Sequence, residues 1–343
     1  VTGVDTGLPA DAGPALPEPR GDLSAGVVAA LAGEPGGLPP PGEAVRAEPY
    51  GDDLQLALYV LYELHYRGFS GVPDRAEWDP DLLRLRREAE DRFFTALRAE
   101  LPDGPGVEET LGALLVEPAD RGNSVSHYLQ RHGELWQLQE YAALRSLYHL
   151  KEADPHLWVI PRLNGRAKAA MAAVEFDEFG AGRAEEVHAR LFADLMADLG
   201  LRTSYGYYLD SACAEVLATV NLMSLFGLHR RLRGALVGHF ATVEATSSPG
   251  SRRLAQAMRR TGAGPAAERF YDEHVEADAV HEQVVRREVV GGLLADEPHL
   301  APDVVFGVRA TGLLEERLGR RLLTAWRAGA TSLRAPLAVA PGS

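Results

Sequence analysis

From residue 52 to residue 327 apolar residues recur at the three- and four-residue intervals of an α-helix, with few β-branched runs. No strand alternation, hairpin signal or internal repeat competes with that period. The pattern predicts helices over 52–66, 80–100, 125–152, 157–179, 184–199, 210–226, 229–247, 251–261, 266–293 and 301–327. Breakers separate them at Pro73, Pro102, Pro105, Pro155, Gly180/Gly182, Ser248-Pro249-Gly250 and Gly262. The expected fold is all-α, a helical bundle with an additional N-terminal helical region. Bundles hold cofactors in their cores, between side chains of facing helices.

Residues 1–49 are rich in Pro, Gly and Ala (GEPGGLPPPGE) and are expected to form a flexible arm, since such a stretch buries too little to offset its ordering entropy. Residues 50–123 are expected to form auxiliary helices, 124–330 the main helical domain and 331–343 a tail.

Charge and cysteine content narrow the function. Lys and Arg total 35 against 49 Asp and Glu, a formal net charge of −14. That balance excludes nucleic acid as the expected partner, because a binder needs a basic face to neutralise phosphates. No apolar run approaches the roughly 20 residues that span a bilayer, so no membrane partner is expected. Cys213 is the only cysteine, which rules out an internal disulfide and a thiolate-ligated metal cluster. A cytoplasmic setting is expected. Dinucleotide, P-loop and serine-hydrolase fingerprints are missing from the sequence.

The most informative segment is FYDEHVEADAVHEQVVR. His274, Asp278 and His281 lie at i, i+4 and i+7, within about 60° of one helical face. Imidazole and carboxylate together suit iron with open positions for dioxygen; a solvated acidic helix with two incidental histidines would look the same. In MAAVEFDEFGAGRAEEVHARL, Glu178 ends an apolar helix and His188 opens the next across Gly180-Ala181-Gly182. The glycines allow a bend tight enough for the two to converge, although a helix-end carboxylate and a packed histidine are the alternative. Glu244 is the lone acid of an otherwise apolar and neutral stretch, where an unpaired carboxylate is costly and a cation or metal is the usual companion. His239, about 140° away around the same helix, is expected in the core or supporting the site.

The order Glu178, His188, Glu244, His274, Asp278, His281 resembles the ligand pattern of the haem-oxygenase-like diiron oxidases and oxygenases, a group broadly described as iron-containing redox enzymes. H-x3-D-x2-H is the most specific piece, and Asp-Glu-Phe-Gly ahead of His188 is similar to the family as well. The resemblance covers about residues 141–327. It implies two irons held by core helices, no haem, and a non-haem diiron enzyme that uses O2 to oxidise a small-molecule substrate with an external electron donor. Some N-oxygenating members carry a further carboxylate, which Glu152 in LKEADPH resembles. The expected activity is therefore oxidation of an amine- or carboxylate-bearing metabolite, with N-oxygenation favoured. Oxidative desaturation or C–C cleavage of an amino or fatty acid is the near alternative.

Two other readings stay open. Glu185-x-x-His188 and Asp278-x-x-His281 could be the paired motifs of a ferritin-like bundle, and a metal-binding scaffold without turnover would share the ligands. A homodimer is one assembly the sequence allows. Arg183, on the glycine bend, is a candidate carboxylate clamp, whereas Arg190 should face away from the metals. Glu63 and His65, in YELHY, point to different helix faces and are candidates for contacting substrate.

Overall fold

The computed structural model describes residues 13–116 and 124–337, with the side chains of residues 276, 278 and 279 left out of that description. Among the described residues the chain is all helix, without strands. In order run α1 (Asp22–Leu31), α2 (Glu43–Arg46), α3 (Asp52–Glu63), α4 (Pro80–Glu100), α5 (Val107–Leu114), α6 (Val125–Arg131), α7 (Leu135–His149) and α8 (Asp154–Leu157). Then follow α9 (Gly165–Glu178), α10 (His188–Asp198), α11 (Ala214–Leu228), α12 (Arg233–Thr261), α13 (Pro265–Val284), α14 (Gly291–Asp296) and α15 (Ala301–Arg327). A π-helical turn, Val285–Val290, joins α13 to α14.

Local chemistry sets several boundaries. Pro80 opens α4, where its missing N–H costs nothing, and the Asp79 side chain accepts from the Asp81 and Leu82 N–H groups at 2.9 and 3.2 Å. At α7 a capping box forms: the Glu134 N–H donates to Gln137 Oε1 at 2.8 Å, and the Glu134 carboxylate accepts in return. That box, after Gly133, splits the single helix expected over 125–152 into α6 and α7.

α12 is the central strut, packed on α13, α15 and α6. It passes straight through Ser248-Pro249-Gly250, where a break was expected. Pro249 is exposed and removes only one backbone donor, while Ser248 Oγ donates to the Val275 carbonyl at 3.2 Å and ties this stretch to α13. Across the other flank α12 and α15 approach backbone to backbone. A Cβ on Gly238 would sit 2.0 Å from the Val304 carbonyl oxygen, and one on Gly307 2.0 Å from that of Ala235.

The stretch expected as a flexible arm departs from that expectation over its described part. Leu23, Val27 and Leu31 line one face of α1 and are buried, with α1 packed on α3. Asp53 fastens the start of α1, accepting from the N–H groups of Leu23 (3.1 Å) and Ser24 (2.7 Å). The apolar i, i+4, i+8 spacing was present but short, and the Pro and Gly on either side of it obscured it. No helix among the described residues is long and apolar enough to cross a membrane.

Candidate metal centre

Among the described residues, six buried side chains converge between the end of α7 and helices α9, α10, α12 and α13. They form two groups, Glu152 with His188 and His274, and Glu178 with Glu244 and His281. In each group every residue offers a ligand atom within 4.8 Å of the others, close enough for one metal ion.

Each arrives for a local reason. α7 stops at His149, and Glu152 sits in the turn before Pro155 opens α8, so the proline marks a helix end and the carboxylate still points inward. Glu178 ends α9. Gly180 (φ 71°), Ala181 (φ 51°) and Gly182 (φ 84°) then take left-handed backbone in succession, folding the chain back so that His188 opens α10 beside Glu178. Glu244 comes from α12, and His274 and His281 from one face of α13.

Glu178 lies between the groups. Its Oε2 is 2.7 Å from His188 Nδ1 and its Oε1 is 3.5 Å from His281 Nδ1, which also stands 3.4 Å from Glu244 Oε2. The His188 and His274 rings lie against each other, tilted by 48° with centroids 4.5 Å apart. His274 Nδ1–H donates to the Phe270 carbonyl at 2.7 Å, which leaves its buried Nε2 without a hydrogen-bond partner and aimed toward Glu152 Oε1 at 4.0 Å. A buried imidazole nitrogen held in this way is what a metal ligand requires. The set of imidazoles and carboxylates suits iron, and its carboxylates offset the charge of divalent ions.

Supporting groups fix these ligands. His149 Nδ1–H donates to Glu152 Oε2 at 2.8 Å, and His281 Nε2–H to Asp177 Oδ2 at 3.3 Å. Burial opposes ionisation of Glu152, yet His149, His274 and His188 outweigh it and hold its pKa at about 2. For His281 burial favours the neutral ring, but Glu244, Glu178 and Asp177 raise its pKa to about 9. Glu175, one turn before Glu178, is buried with neither oxygen hydrogen-bonded; burial, Glu178 and Glu244 push its carboxyl well above the usual range.

On one side the ligands open into a cavity of about 550 Å³, whose lining includes Glu152, Glu178, Glu244 and His274. Its walls are mainly apolar, with Leu222, Met223, Phe240 and Leu318 among them. Arg145 and Glu315 form a bidentate pair in the same cavity, at 2.8 and 2.6 Å.

The expected residues fare unequally. Glu152, Glu178, His188, Glu244, His274 and His281 are brought together. Asp278 falls on α13 between the two histidines, but its side chain lies outside the described residues. Arg183 is exposed on the rim of a separate recess that includes His188 and His281, and its Nε donates to the Gly180 carbonyl at 3.5 Å. Arg190 points outward and pairs with Asp194. Glu63 and His65 do not line the cavity. Glu63, fully buried, takes Lys151 Nζ at 2.9 Å and Tyr205 OH at 2.6 Å, and His65 bonds Glu77 and Arg86. Glu185 is exposed while His188 is buried, so the ferritin-like pairing is not formed. His239 is a core residue on the cavity wall, bonded to Thr311.

Sequence reasoning missed Arg145, His149, Asp177 and Glu315. A signal existed for two of them: Arg145, His149 and Glu152 repeat the i, i+4, i+7 spacing of His274, Asp278 and His281.

The sequence model of a family described as iron-containing redox enzymes matches residues 139–316, just over half of the chain. No curated protein matches it. The matched span contains all six converging side chains together with Arg145 and Glu315.

Proposed function

The chain belongs to the iron-containing redox enzyme family, and from that premise we propose that it is a non-haem diiron oxygenase or oxidase. On this reading it uses dioxygen and an external electron donor to oxidise a small amine- or carboxylate-bearing metabolite, with N-oxygenation favoured. The observation that carries the reading is Glu178 standing between two buried ligand groups, one oxygen toward each. The place of Glu152 among the first group favours N-oxygenation, because it adds a carboxylate to the set that the other residues provide.

Iron, when bound, supplies the redox and Lewis-acid chemistry for dioxygen. The chain's own residues do the rest. His149 and Asp177 fix which atoms of Glu152 and His281 face inward. Asp278 completes the proposed ligand set by its spacing from His274 and His281. The mainly apolar cavity beside the ligand cluster leaves room for an organic substrate.

Oxygen uptake by the Fe(II)-loaded protein, measured against a panel of amines and carboxylates, tests this directly. The proposal expects uptake accelerated by a member of the panel. With ¹⁸O-labelled dioxygen, label on nitrogen in the product supports N-oxygenation, whereas an unlabelled alkene or a shortened chain points to desaturation or C–C cleavage. Uptake that no organic compound accelerates would favour a metal-binding scaffold instead.

A further inference from the structure

Arg145 and Glu315 are an unusual pair to find in a mainly apolar cavity. The pair sets two charges among walls such as Leu222, Leu314 and Leu318, with the Arg145 and Glu315 side chains 19 % and 37 % exposed, and an accessible ion pair of this kind contributes little to stability. Its geometry is open to a ligand. Nη1 and Nη2 of Arg145 hold the two oxygens of Glu315, and Tyr141 is a further hydrogen-bonding neighbour of the guanidinium. Tyr141 lies against the guanidinium, 5.3 Å from ring centroid to Arg145 Cζ. Both charged heads line the same cavity as Glu152, Glu178, Glu244 and His274.

Placement along α7 sets a distance. Arg145 stands four residues, about 6 Å along α7, before His149, which donates to Glu152 Oε2 at 2.8 Å. A molecule anchored at the pair therefore reaches the metal ligands with its far end.

Charge balance selects the anchor's ligand. A lone carboxylate would have to take Arg145 from Glu315 and leave that acid unpaired in an apolar wall, and a lone ammonium would do the same to Arg145. A group carrying both charges meets both partners and leaves neither stranded. We propose that Arg145 and Glu315 are the head-group anchor of the substrate, that they take a zwitterionic ammonium-carboxylate head, and that the position oxidised lies at the other end of its side chain. This inference rests on reading the cavity as the substrate site of the metal centre. It moves the carboxylate clamp from exposed Arg183 to Arg145.

Three six-carbon probes separate the possibilities: L-norleucine (zwitterion), hexanoate (anion) and hexylamine (cation). Their binding is measured by calorimetry on anaerobic Fe(II)-loaded protein, with iron content and helical melting recorded for every sample. Norleucine should bind wild type at least about tenfold tighter than either other probe, the loss of one charge-assisted contact. Glu315→Gln should turn the preference toward hexanoate, and Arg145→Gln toward hexylamine, with iron retained. Equal binding of the three probes, hexanoate binding tightest, or no binding to wild type at 10 mM overturns the proposal while intact iron leaves the metal centre standing. Should either variant fail to fold, the wild-type ranking decides alone. Failure of wild type to hold iron would remove the metal-centre reading beneath it.

Discussion

Glu178 ends α9 and His188 opens α10, with the bend at residues 180–182 between them, yet Glu178 Oε2 lies 2.7 Å from His188 Nδ1. The contact depends on the left-handed bend at Gly180, where a Cβ would stand 2.7 Å from the Glu186 carbonyl carbon and the Val187 nitrogen. Gly180→Ala should therefore open the bend, destabilise the protein by about 1–3 kcal/mol and weaken iron loading. Gly200→Ala is the control: its φ is also 70°, with nothing within 4 Å of the added Cβ. It should cost about 1–2 kcal/mol from the backbone alone and leave iron loading untouched. Equal effects on iron in the two variants would detach the bend from the site.

Iron affinity should depend steeply on pH. The pKa of His281 is raised to about 9 from its ordinary 6.5, so the metal-free site holds a proton there. That proton's contribution to stability is full below pH 6.5 and is lost as pH rises through about 9. A metal must displace it, so Fe(II) affinity should rise about tenfold per pH unit between pH 6 and 7.5 from this group alone. A flat anaerobic binding profile over that range would contradict the assignment of His281.

Acid stability offers a separate test away from the ligands. His239 is buried, its Nδ1–H donates to Thr311 Oγ1 at 2.8 Å, and burial lowers its pKa to about 4. The folded protein thus keeps this ring neutral while the unfolded chain protonates it near 6.5. Its contribution is fully present above pH 6.5 and is lost between there and pH 4. On going from pH 7 to 4.5, metal-free wild type should lose about 2–3 kcal/mol more stability than His239→Gln. Parallel losses in both proteins, read by denaturant unfolding, would exclude this histidine as the cause.

Much of this was legible in the chain, for identifiable reasons. Pro80 and Asp79 mark the start of α4, and α4 and α15 fall where periodicity places them. His274 and His281 share a face by spacing alone, and Glu244 is conspicuous as a lone acid in an apolar helix. Pairings between distant segments were not legible. Glu63 looked available for substrate because its partners, Lys151 and Tyr205, lie 88 and 142 residues away. The pair of Arg145 with Glu315, 170 residues apart, was hidden for the same reason. Short elements also escaped: α1 holds one apolar stripe between Pro- and Gly-rich flanks, and Pro249 signals a break that packing on α13 overrides.

The crossing of α12 and α15 should tolerate no side chain at its narrowest point. Gly238→Ala places a methyl 2.0 Å from the Val304 carbonyl oxygen, a contact with backbone that no rotamer relieves. The expected cost is about 3 kcal/mol or more, read as a fall in melting temperature. Gly312→Ala, on α15 with nothing within 4 Å of the added Cβ, should lack that clash. Similar melting temperatures for Gly238→Ala and wild type would show that the helices can separate freely.

Metal content is the most direct test of the central claim. Protein loaded anaerobically with Fe(II) should bind about two irons per chain without haem absorbance. His274 and His281 belong to different ligand groups, so His274→Ala and His281→Ala should each lose about one iron, and Glu178→Ala should weaken both sites. Fewer than one iron in wild type at saturating Fe(II), or full occupancy in both histidine variants, would contradict the two-site centre.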